Sequence, residues 1–141
     1  MYGTIAVGTD GSLTAALAEA VALRLAKTSG GRLLFVSAFA DGPGRRRSVE
    51  ALEASRARAN ASGVPADAEP IKAEPAEGIV ELADRWDAEL LVVGDVGMSG
   101  HRTLRLGGVP DRVSHHMPCD LLIVRTSKPD RARPPGQYGS V

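Results

Sequence analysis

Short apolar runs alternate with amphipathic stretches along most of this 141-residue chain. Four apolar runs of strand length, bounded by glycine, proline or polar residues, predict β-strands, and we interpret residues 66–71 as a further short strand. The predicted strands span residues 4–8, 33–38, 66–71, 90–94 and 120–124. The run at 90–94 is continuously apolar, which is typical of a strand that is buried on both faces. Pro70 within the third of these strands predicts that it lies at the edge of the sheet.

The segments between these strands have helical periodicity. The segment after the first strand predicts a first helix. Its apolar face, which we expect to pack on the sheet, carries a large residue at every fourth position: Leu13, Leu17, Val21 and Leu25. Ser12 is suited to cap the start of this helix, and Gly30 with Gly31 is suited to end it. A loop at 41–47 is expected to precede a second helix over 49–61, with Ser48 as its cap.

A third helix is predicted to begin at Pro75, because proline suits the first helical turn and the apolar residues Ile79, Leu82, Ala83 and Trp86 follow at helical spacing. A short fourth helix is predicted over 109–117. This regular alternation of strands and helices favours an α/β fold, namely a single doubly wound, Rossmann-like parallel sheet of five strands. We expect the strand order 3-2-1-4-5, with helices on both faces of the sheet.

Composition narrows the class of protein. The 17 basic and 17 acidic residues balance, which argues against a strongly basic nucleic-acid binder. Residues 126–141 hold three of the bases and one of the acids among several prolines and glycines, and we interpret them as a disordered basic tail after a domain at 1–125. Without an apolar window of membrane-spanning length or a signal-peptide pattern, no membrane partner is expected and the cytoplasm is the expected compartment.

Metal and thiol chemistry receive little support from the sequence. The single cysteine, Cys119, excludes an internal disulfide and a cysteine-based zinc cluster, and it is expected to be a small core residue. The three histidines do not form a metal constellation, and His115 with His116 suits the end of the last predicted helix better than a catalytic role. We expect no metal site formed by protein side chains.

Glycines concentrate where two predicted strands end. The first strand runs into Gly8-Thr9-Asp10-Gly11-Ser12, and the fourth runs into a segment that contains Gly94, Gly97 and Gly107-Gly108. In a sheet of order 3-2-1-4-5 these two ends face one crevice, which is where open α/β sheets bind ligands. Glycine permits close backbone approach, and a helix that starts after Gly108 would direct N–H groups at a phosphate. Ordinary turns and an ordinary helix start remain the alternative interpretation of both segments.

Several of these segments together resemble the universal stress protein family. Gly94-x2-Gly97-x9-Gly107 is similar to the family's nucleotide loop G-x2-G-x9-G-(S/T), and the residues 6–12, AVGTDGS, are similar to its opening V-D-G-S. Residues 75–83, the GVPDRV segment at 108–113 and the MPCDLLIV segment at 117–124 resemble its third helix, last helix and last strand. The resemblance covers about residues 3–125.

The resemblance implies an adenine nucleotide α-hydrolase-like sheet, dimerisation through the last strand (Asp120 to Val124), and binding of ATP or cyclic AMP, with Mg²⁺ accompanying ATP. Carried over by position, it implies the following nucleotide-binding residues: Gly8, Thr9, Asp10, Ala38, Val93, Gly94, Gly97, Gly107, Gly108 and Val109. Asp10 would contact adenine or ribose, Ala38 would line the adenine pocket, and residues 107–109 would direct N–H groups at the phosphates. The implied role is a stress-response sensor.

One position departs from the family pattern. The motif places Ser or Thr where this chain has Gly108, so one hydroxyl donor to a phosphate is missing. A hydrogen bond to a charged group contributes about 1.5–3 kcal/mol, so triphosphate binding should be roughly ten- to a hundredfold weaker. Arg102 and Arg105 within the spacer are either compensating phosphate partners or solvated loop charges.

Three functional interpretations remain open from the sequence. A nucleotide-binding sensor agrees with the motifs, whereas the chain lacks both a Walker A sequence and a nucleophile elbow, so no catalytic residue is assigned. A slow ATPase that uses the same crevice is the enzymatic alternative. A protein-interaction scaffold that has lost nucleotide binding is the third, and it would agree with Gly108.

Overall fold

The structure of the protein, a computed structural model, describes residues 2–95 and 117–125. Five strands and three helices form in these residues: β1 Thr4–Gly8, α1 Leu13–Ser29, β2 Arg32–Phe39, α2 Gly42–Ala61, β3 Ala66–Lys72, α3 Pro75–Arg85, β4 Leu90–Gly94 and β5 Asp120–Val124. The strands form one sheet in the order β3-β2-β1-β4-β5, and every neighbouring pair is parallel. The predicted doubly wound architecture is therefore confirmed.

Strand register brings the predicted site segments together. Gly8, the last residue of β1, pairs with Val36 of β2, and Val7 pairs with Val92 of β4. The carboxyl ends of β1, β2 and β4 consequently lie side by side. β3 is an edge strand, as Pro70 indicated, and it pairs only with β2 among the described strands.

Each face of the sheet has its own apolar core. One core joins Val7, Phe35 and Val92 to alanines of α1 and to Leu52 of α2. The opposite core joins alternate strand residues to α3 and includes Ala6, Val36, Ile79, Leu82 and Val93. Successive strand residues point to opposite faces, so a parallel strand covered on both sides must be apolar throughout, as β4 is. The predicted helices on both faces are confirmed for α1, α2 and α3.

The predicted buried face of α1 is wrong by one residue position. Its buried residues are Ala18, Glu19, Ala22 and Ala26, whereas Leu13 is 89% exposed and Leu17 is 51% exposed. One residue turns a helix by about 100°, so the leucine stripe lies beside the buried face. The alanines carry short side chains, which lets α1 lie close to the sheet. Both predicted ends of α1, Ser12 and Gly30, are confirmed as its caps.

The predicted start of the second helix is also wrong. α2 begins at Gly42 with Asp41 as its cap, because the Asp41 Oδ1 accepts a 2.6 Å hydrogen bond from the Gly44 N–H and Pro43 lies in the first turn. The three arginines at 45–47 are therefore helical rather than part of a loop, although they are exposed as expected. Ser48, the predicted cap, is buried inside the helix, where its hydroxyl lies 3.0 Å from that of Ser37.

α3 confirms its prediction: Ile79, Leu82 and Ala83 are buried and Pro75 is its first residue. Cys119 is half-buried against the α3-side core. The predicted fourth helix, apart from Met117, and the tail at 126–141 lie outside the described residues. No helix among the described residues is long and apolar enough to cross a bilayer.

Candidate functional site

The candidate site lies at the carboxyl ends of the two neighbouring central strands, β1 and β4. The chain leaves β1 toward β2 on one side and leaves β4 toward β5 on the other, so the strand order reverses between them. This reversal creates a crevice outside the strand ends, and ligands of open α/β sheets bind in such crevices. The structure thus brings Gly8, Thr9, Asp10, Val93 and Gly94 to one place.

Gly8 forms the floor of the crevice on the α3 side. A Cβ atom placed on this residue would lie 3.0 Å from the Ile79 Cδ1 and 3.5 Å from the Val93 Cγ1. Those distances leave no room for a larger side chain without displacing Ile79. Glycine therefore keeps the strand end narrow and lets its neighbours close beneath it.

Thr9 is 1% exposed, and its side chain is directed into the protein rather than into the crevice. Its N–H donates a 2.9 Å hydrogen bond to the Val36 carbonyl, which extends the sheet by one bond. Its hydroxyl donates to a carboxylate oxygen of Glu19 on α1 and accepts a 3.3 Å bond from the Gly11 N–H. The hydroxyl and the N–H are thus both engaged, and within the described residues the backbone carbonyl is the polar group of Thr9 that remains for a ligand.

Glu19 is a buried carboxylate that receives two donors. Besides the Thr9 hydroxyl, the Arg58 guanidinium of α2 lies 3.1 Å from its other oxygen. The Glu19 side chain is 9% exposed, whereas that of Arg58 is 60% exposed. The same guanidinium also donates to the hydroxyl of the buried Ser55. The three residues Thr9, Glu19 and Arg58 therefore connect the β1–α1 loop with α1 and α2.

Asp10 and Ser12 fix the turn that opens α1. The Asp10 Oδ1 accepts a 2.9 Å hydrogen bond from the Ser12 N–H, and the Ser12 hydroxyl accepts one of 3.1 Å from the Ala15 N–H. Gly11 between them has a φ of 81°, in the left-handed region. Asp10 is half-buried, and within the described residues its Oδ2 has no hydrogen-bond partner. One carboxylate oxygen thus remains to accept a hydrogen bond from a ligand.

Ala38 lies in the wall of an open pocket of about 570 Å³ beside the crevice. The pocket lies between the end of β2 and the β3–α3 turn, and its lining consists of Ala38, Phe39, Ala40, Lys72, Ala73, Glu74 and Pro75. Most of its lining surface is apolar, and Lys72 and Glu74 contribute the charged side chains. A mostly apolar lining with a few polar groups is typical of a small-molecule pocket.

The end of β4 forms the opposite side of the crevice. Val93 is buried and pairs with Ile123, and Gly94 is half-buried and pairs with Val124. Asp95 follows directly, is 6% exposed, and donates its N–H to the Val124 carbonyl over 2.9 Å.

The predicted site residues Gly97, Gly107, Gly108 and Val109 lie outside the described residues. Among residues 2–95 and 117–125 no group of three or more candidate ligands could hold a metal ion.

Sequence reasoning missed two buried acids near the crevice. Asp95 belongs to the glycine-rich segment, but only its glycines were noted. Glu19 follows Ala18 in a helix whose leucines appeared to mark the buried face, so nothing nearby in the sequence identified it as buried. Its partners are ten residues before it and 39 residues after it. Only the tertiary arrangement shows that it supports the β1–α1 loop.

Comparison with known proteins gives one consistent result. The model of the universal stress protein family matches residues 1–125. A universal stress protein of Thermus aquaticus is 36% identical over 137 residues, which cover 89% of this chain and 100% of that protein. A universal stress protein of Mycobacterium tuberculosis (strain H37Rv) is 32% identical over 144 residues, covering 89% of this chain and 98% of that one.

Solved structures agree with the fold. A universal stress protein in complex with cAMP superposes with a TM-score of 0.76 at 33% identity, covering 89% of this chain and 99% of that one. The Archaeoglobus fulgidus universal stress protein in complex with dAMP superposes with a TM-score of 0.72 at 21% identity, covering 88% and 98%.

Proposed function

Because this chain belongs to the universal stress protein family, we propose that it binds an adenine nucleotide in the crevice between β1 and β4 and acts as a regulatory module of the stress response. ATP and cyclic AMP are the proposed ligands, with Mg²⁺ accompanying ATP. The observation that carries the proposal is the strand register that places Gly8 beside Val93 with Asp10 at the rim. The relative solved with cAMP, 33% identical to this chain, supports the ligand class.

The described residues support specific roles in this binding. The open Oδ2 of Asp10 is available to accept a hydrogen bond from a ribose hydroxyl or an exocyclic amine. The pocket beside Ala38 has the apolar character that an adenine ring needs. Thr9 would act through its backbone, since its hydroxyl is held by Glu19. Gly94 would approach the ribose and phosphates, and Gly97, Gly107, Gly108 and Val109 are proposed phosphate-facing residues from the family resemblance alone.

A calorimetric titration with ATP, AMP and cyclic AMP tests the proposal. Saturable binding without release of phosphate is the expected result. Asp10→Asn keeps the acceptor for the Ser12 N–H but removes the charge, and it should weaken binding roughly tenfold, as loss of a charged hydrogen bond does. Asp84→Asn, at an exposed position of α3, is the matched control and should bind as the unaltered protein does. No binding at millimolar nucleotide would contradict the proposal and favour a scaffold role.

Gly108→Ser tests the phosphate side of the proposal. Restoring the motif hydroxyl should tighten ATP binding by about tenfold, with a smaller effect on a ligand that lacks the β- and γ-phosphates. Equal affinities for both proteins would contradict the account of the missing donor. Sustained phosphate release that Asp10→Asn abolishes would identify a slow ATPase instead.

The assembly and compartment are part of the same proposal. β5 is an edge strand of the described sheet, and its Asp120–Val124 backbone is free on the side away from β4. We propose a homodimer contact on that side of β5. We also propose the cytoplasm as the compartment. Sedimentation equilibrium of the unaltered protein and of an Ile123→Pro variant tests the dimer. Asp120 and Val124 direct their backbone groups toward β4, so the N–H of Ile123 faces the open side, and proline there removes a donor from that side without removing a bond to β4. A monomer at all concentrations would contradict the dimer.

A further inference from the structure

Glu19 is the one acidic side chain among the described residues of α1 that is buried, and its position is unusual for a carboxylate. It lies on the helix face that otherwise packs small apolar residues, Ala18, Ala22 and Ala26, against the sheet. Burying a carboxylate carries a desolvation penalty even when the carboxylate is paired, and an apolar side chain would pack on this face without that penalty. Packing therefore does not explain the choice of Glu19.

The contacts of Glu19 indicate a different role. One carboxylate oxygen accepts the Thr9 hydroxyl and the other pairs with the Arg58 guanidinium over 3.1 Å. Thr9 begins the loop that carries Asp10, and its own hydroxyl accepts the Gly11 N–H. A fixed Thr9 rotamer thereby holds the turn in which Gly11 takes its left-handed φ of 81°.

We propose that Glu19 is a positioning residue for the nucleotide crevice: it orients the Thr9 hydroxyl, which holds the Asp10–Gly11 turn in its binding geometry. Arg58 on α2 balances the buried charge from the solvent side. This inference rests on the proposed function, because the turn it positions is the one that would contact the nucleotide. Glu19 itself touches no ligand, since it lies on the α1–α2 side of the sheet, beneath the turn.

The arrangement separates stability from binding, and two substitutions exploit this. Glu19→Leu replaces the carboxylate by an apolar side chain of similar volume, so the fold should be retained while the Thr9 hydroxyl loses its acceptor. Glu19→Gln keeps one acceptor oxygen for Thr9 and loses only the charge. A role limited to packing predicts that nucleotide affinity follows stability in both variants, whereas a positioning role does not.

Three measurements on the full chain test the inference. In Glu19→Leu, the midpoint of urea unfolding should stay near that of the unaltered protein, because loss of the buried charge offsets the Thr9 hydroxyl that is left without an acceptor, while the Kd for ATP should rise about five- to tenfold. Glu19→Gln should bind ATP within about twofold of the unaltered protein, because the acceptor for Thr9 remains. Hydrogen exchange of the Gly11 amide should be faster in Glu19→Leu. Glu53→Gln, an exposed glutamate of α2, is the matched control and should change none of the three.

A second variant covers a failure of Glu19→Leu to fold. Thr9→Val removes the hydroxyl and leaves Glu19 in place, and it should show the same loss of affinity and the same faster Gly11 exchange. The double variant should lose no more than either single one, because both interrupt the same contact. Additive losses would overturn the inference, as would ATP affinity that follows the urea midpoint across all variants.

The same experiment distinguishes this inference from the proposed function. If the unaltered protein binds no adenine nucleotide, the proposed function fails, and the Gly11 exchange rates still decide whether Glu19 positions the turn. If nucleotide binds but neither affinity nor Gly11 exchange responds to Glu19→Leu, the positioning role is wrong and the proposed function stands.

Discussion

Gly11→Ala is the substitution for which the structure gives the sharpest energetic expectation. Two independent costs meet at this position. Gly11 has a φ of 81°, where an L side chain is strained. A Cβ atom placed on it would also lie 2.8 Å from the Ala51 Cβ on α2, closer than real Cβ atoms approach their neighbours. Neither atom ends a flexible side chain, so the backbone must move to relieve the contact.

The two costs can be separated by a matched glycine. Gly30, the C-cap of α1, has a φ of 72° but no atom within 4 Å of its added Cβ. Gly30→Ala should therefore lower the free energy of unfolding by the backbone strain alone, about 1–2 kcal/mol. Gly11→Ala should add overpacking of about 1–3 kcal/mol to the same strain. The expected difference between the two variants is thus about 1–3 kcal/mol.

Removing the methyl group of Ala51 isolates the contact. Ala51→Gly costs about 1 kcal/mol by itself, because glycine is a poor residue in a helix. In that background Gly11→Ala should cost only the strain, about 1–2 kcal/mol, because the methyl–methyl contact is gone. The coupling energy of this double-mutant cycle measures the contact between the β1–α1 turn and α2.

Urea unfolding followed by tryptophan fluorescence provides the assay. Trp86 is the only tryptophan in the chain. It is half-buried, its Nε1 donates a 2.8 Å bond to Glu69, and the Arg32 guanidinium lies 5.5 Å from its ring centroid. Unfolding must break this environment. Trp86 lies between α3 and the start of β4, whereas Gly11 follows the end of β1, so the substitution does not touch the reporter. Equal costs for Gly11→Ala and Gly30→Ala, or a coupling energy near zero, would refute the reasoning by showing that α2 yields freely.

Three further predictions concern single groups. Burial, followed by the charge of Asp120, raises the pKa of the Cys119 thiol. The pH midpoint of its reaction with iodoacetamide should therefore be higher in the folded protein than in the urea-unfolded protein. The stability linked to this thiol should be lost as pH rises from the unfolded toward the folded pKa. Coincident profiles would contradict this. The 2.8 Å hydrogen bond from the Tyr2 hydroxyl to Asp120 raises the pKa of Tyr2. In a Tyr138→Phe background, an absorbance titration of Tyr2 should show a midpoint above 10, and Asp120→Asn should lower it. An unchanged midpoint would count against the hydrogen bond. Ser12→Ala should cost about 1 kcal/mol of unfolding free energy in the urea assay, because the cap of α1 is lost, and a negligible change would show that water replaces it.

The sheet was predictable because its signal is local. Four of the five strands contain a short apolar run closed by glycine or a polar residue, whereas β3 alternates apolar and charged residues. β4 is apolar throughout because both faces are covered. The order 3-2-1-4-5 came from the doubly wound fold class, in which it is a common strand order, and not from the individual strands. Pro70 marked the edge strand, since proline leaves one ladder donor missing.

Helix orientation was less predictable, and α1 shows why. Its leucines and its alanines form two stripes that are one residue apart, and hydrophobicity alone favours the leucines. The sheet selects the alanines, because short side chains permit close approach of the helix axis. α2 presented a similar ambiguity, since Asp41 and Ser48 are both good caps. Pro43 in the first turn was the signal in favour of Asp41, and it was missed.

The candidate crevice shows how far a motif can be interpreted on its own. Residues 8–12 identified the loop, and glycine spacing identified its partner after β4. Neighbouring residues of a strand point to opposite faces, however, and the end of β1 uses both. Gly8 closes against Ile79 of α3, while the Thr9 hydroxyl reaches Glu19 of α1 on the other side. The turn that carries Asp10 is thus held from both layers, by partners that its own sequence does not contain. The same loop sequence on a sheet without these partners would keep its glycines and lose the orientation of its carboxylate.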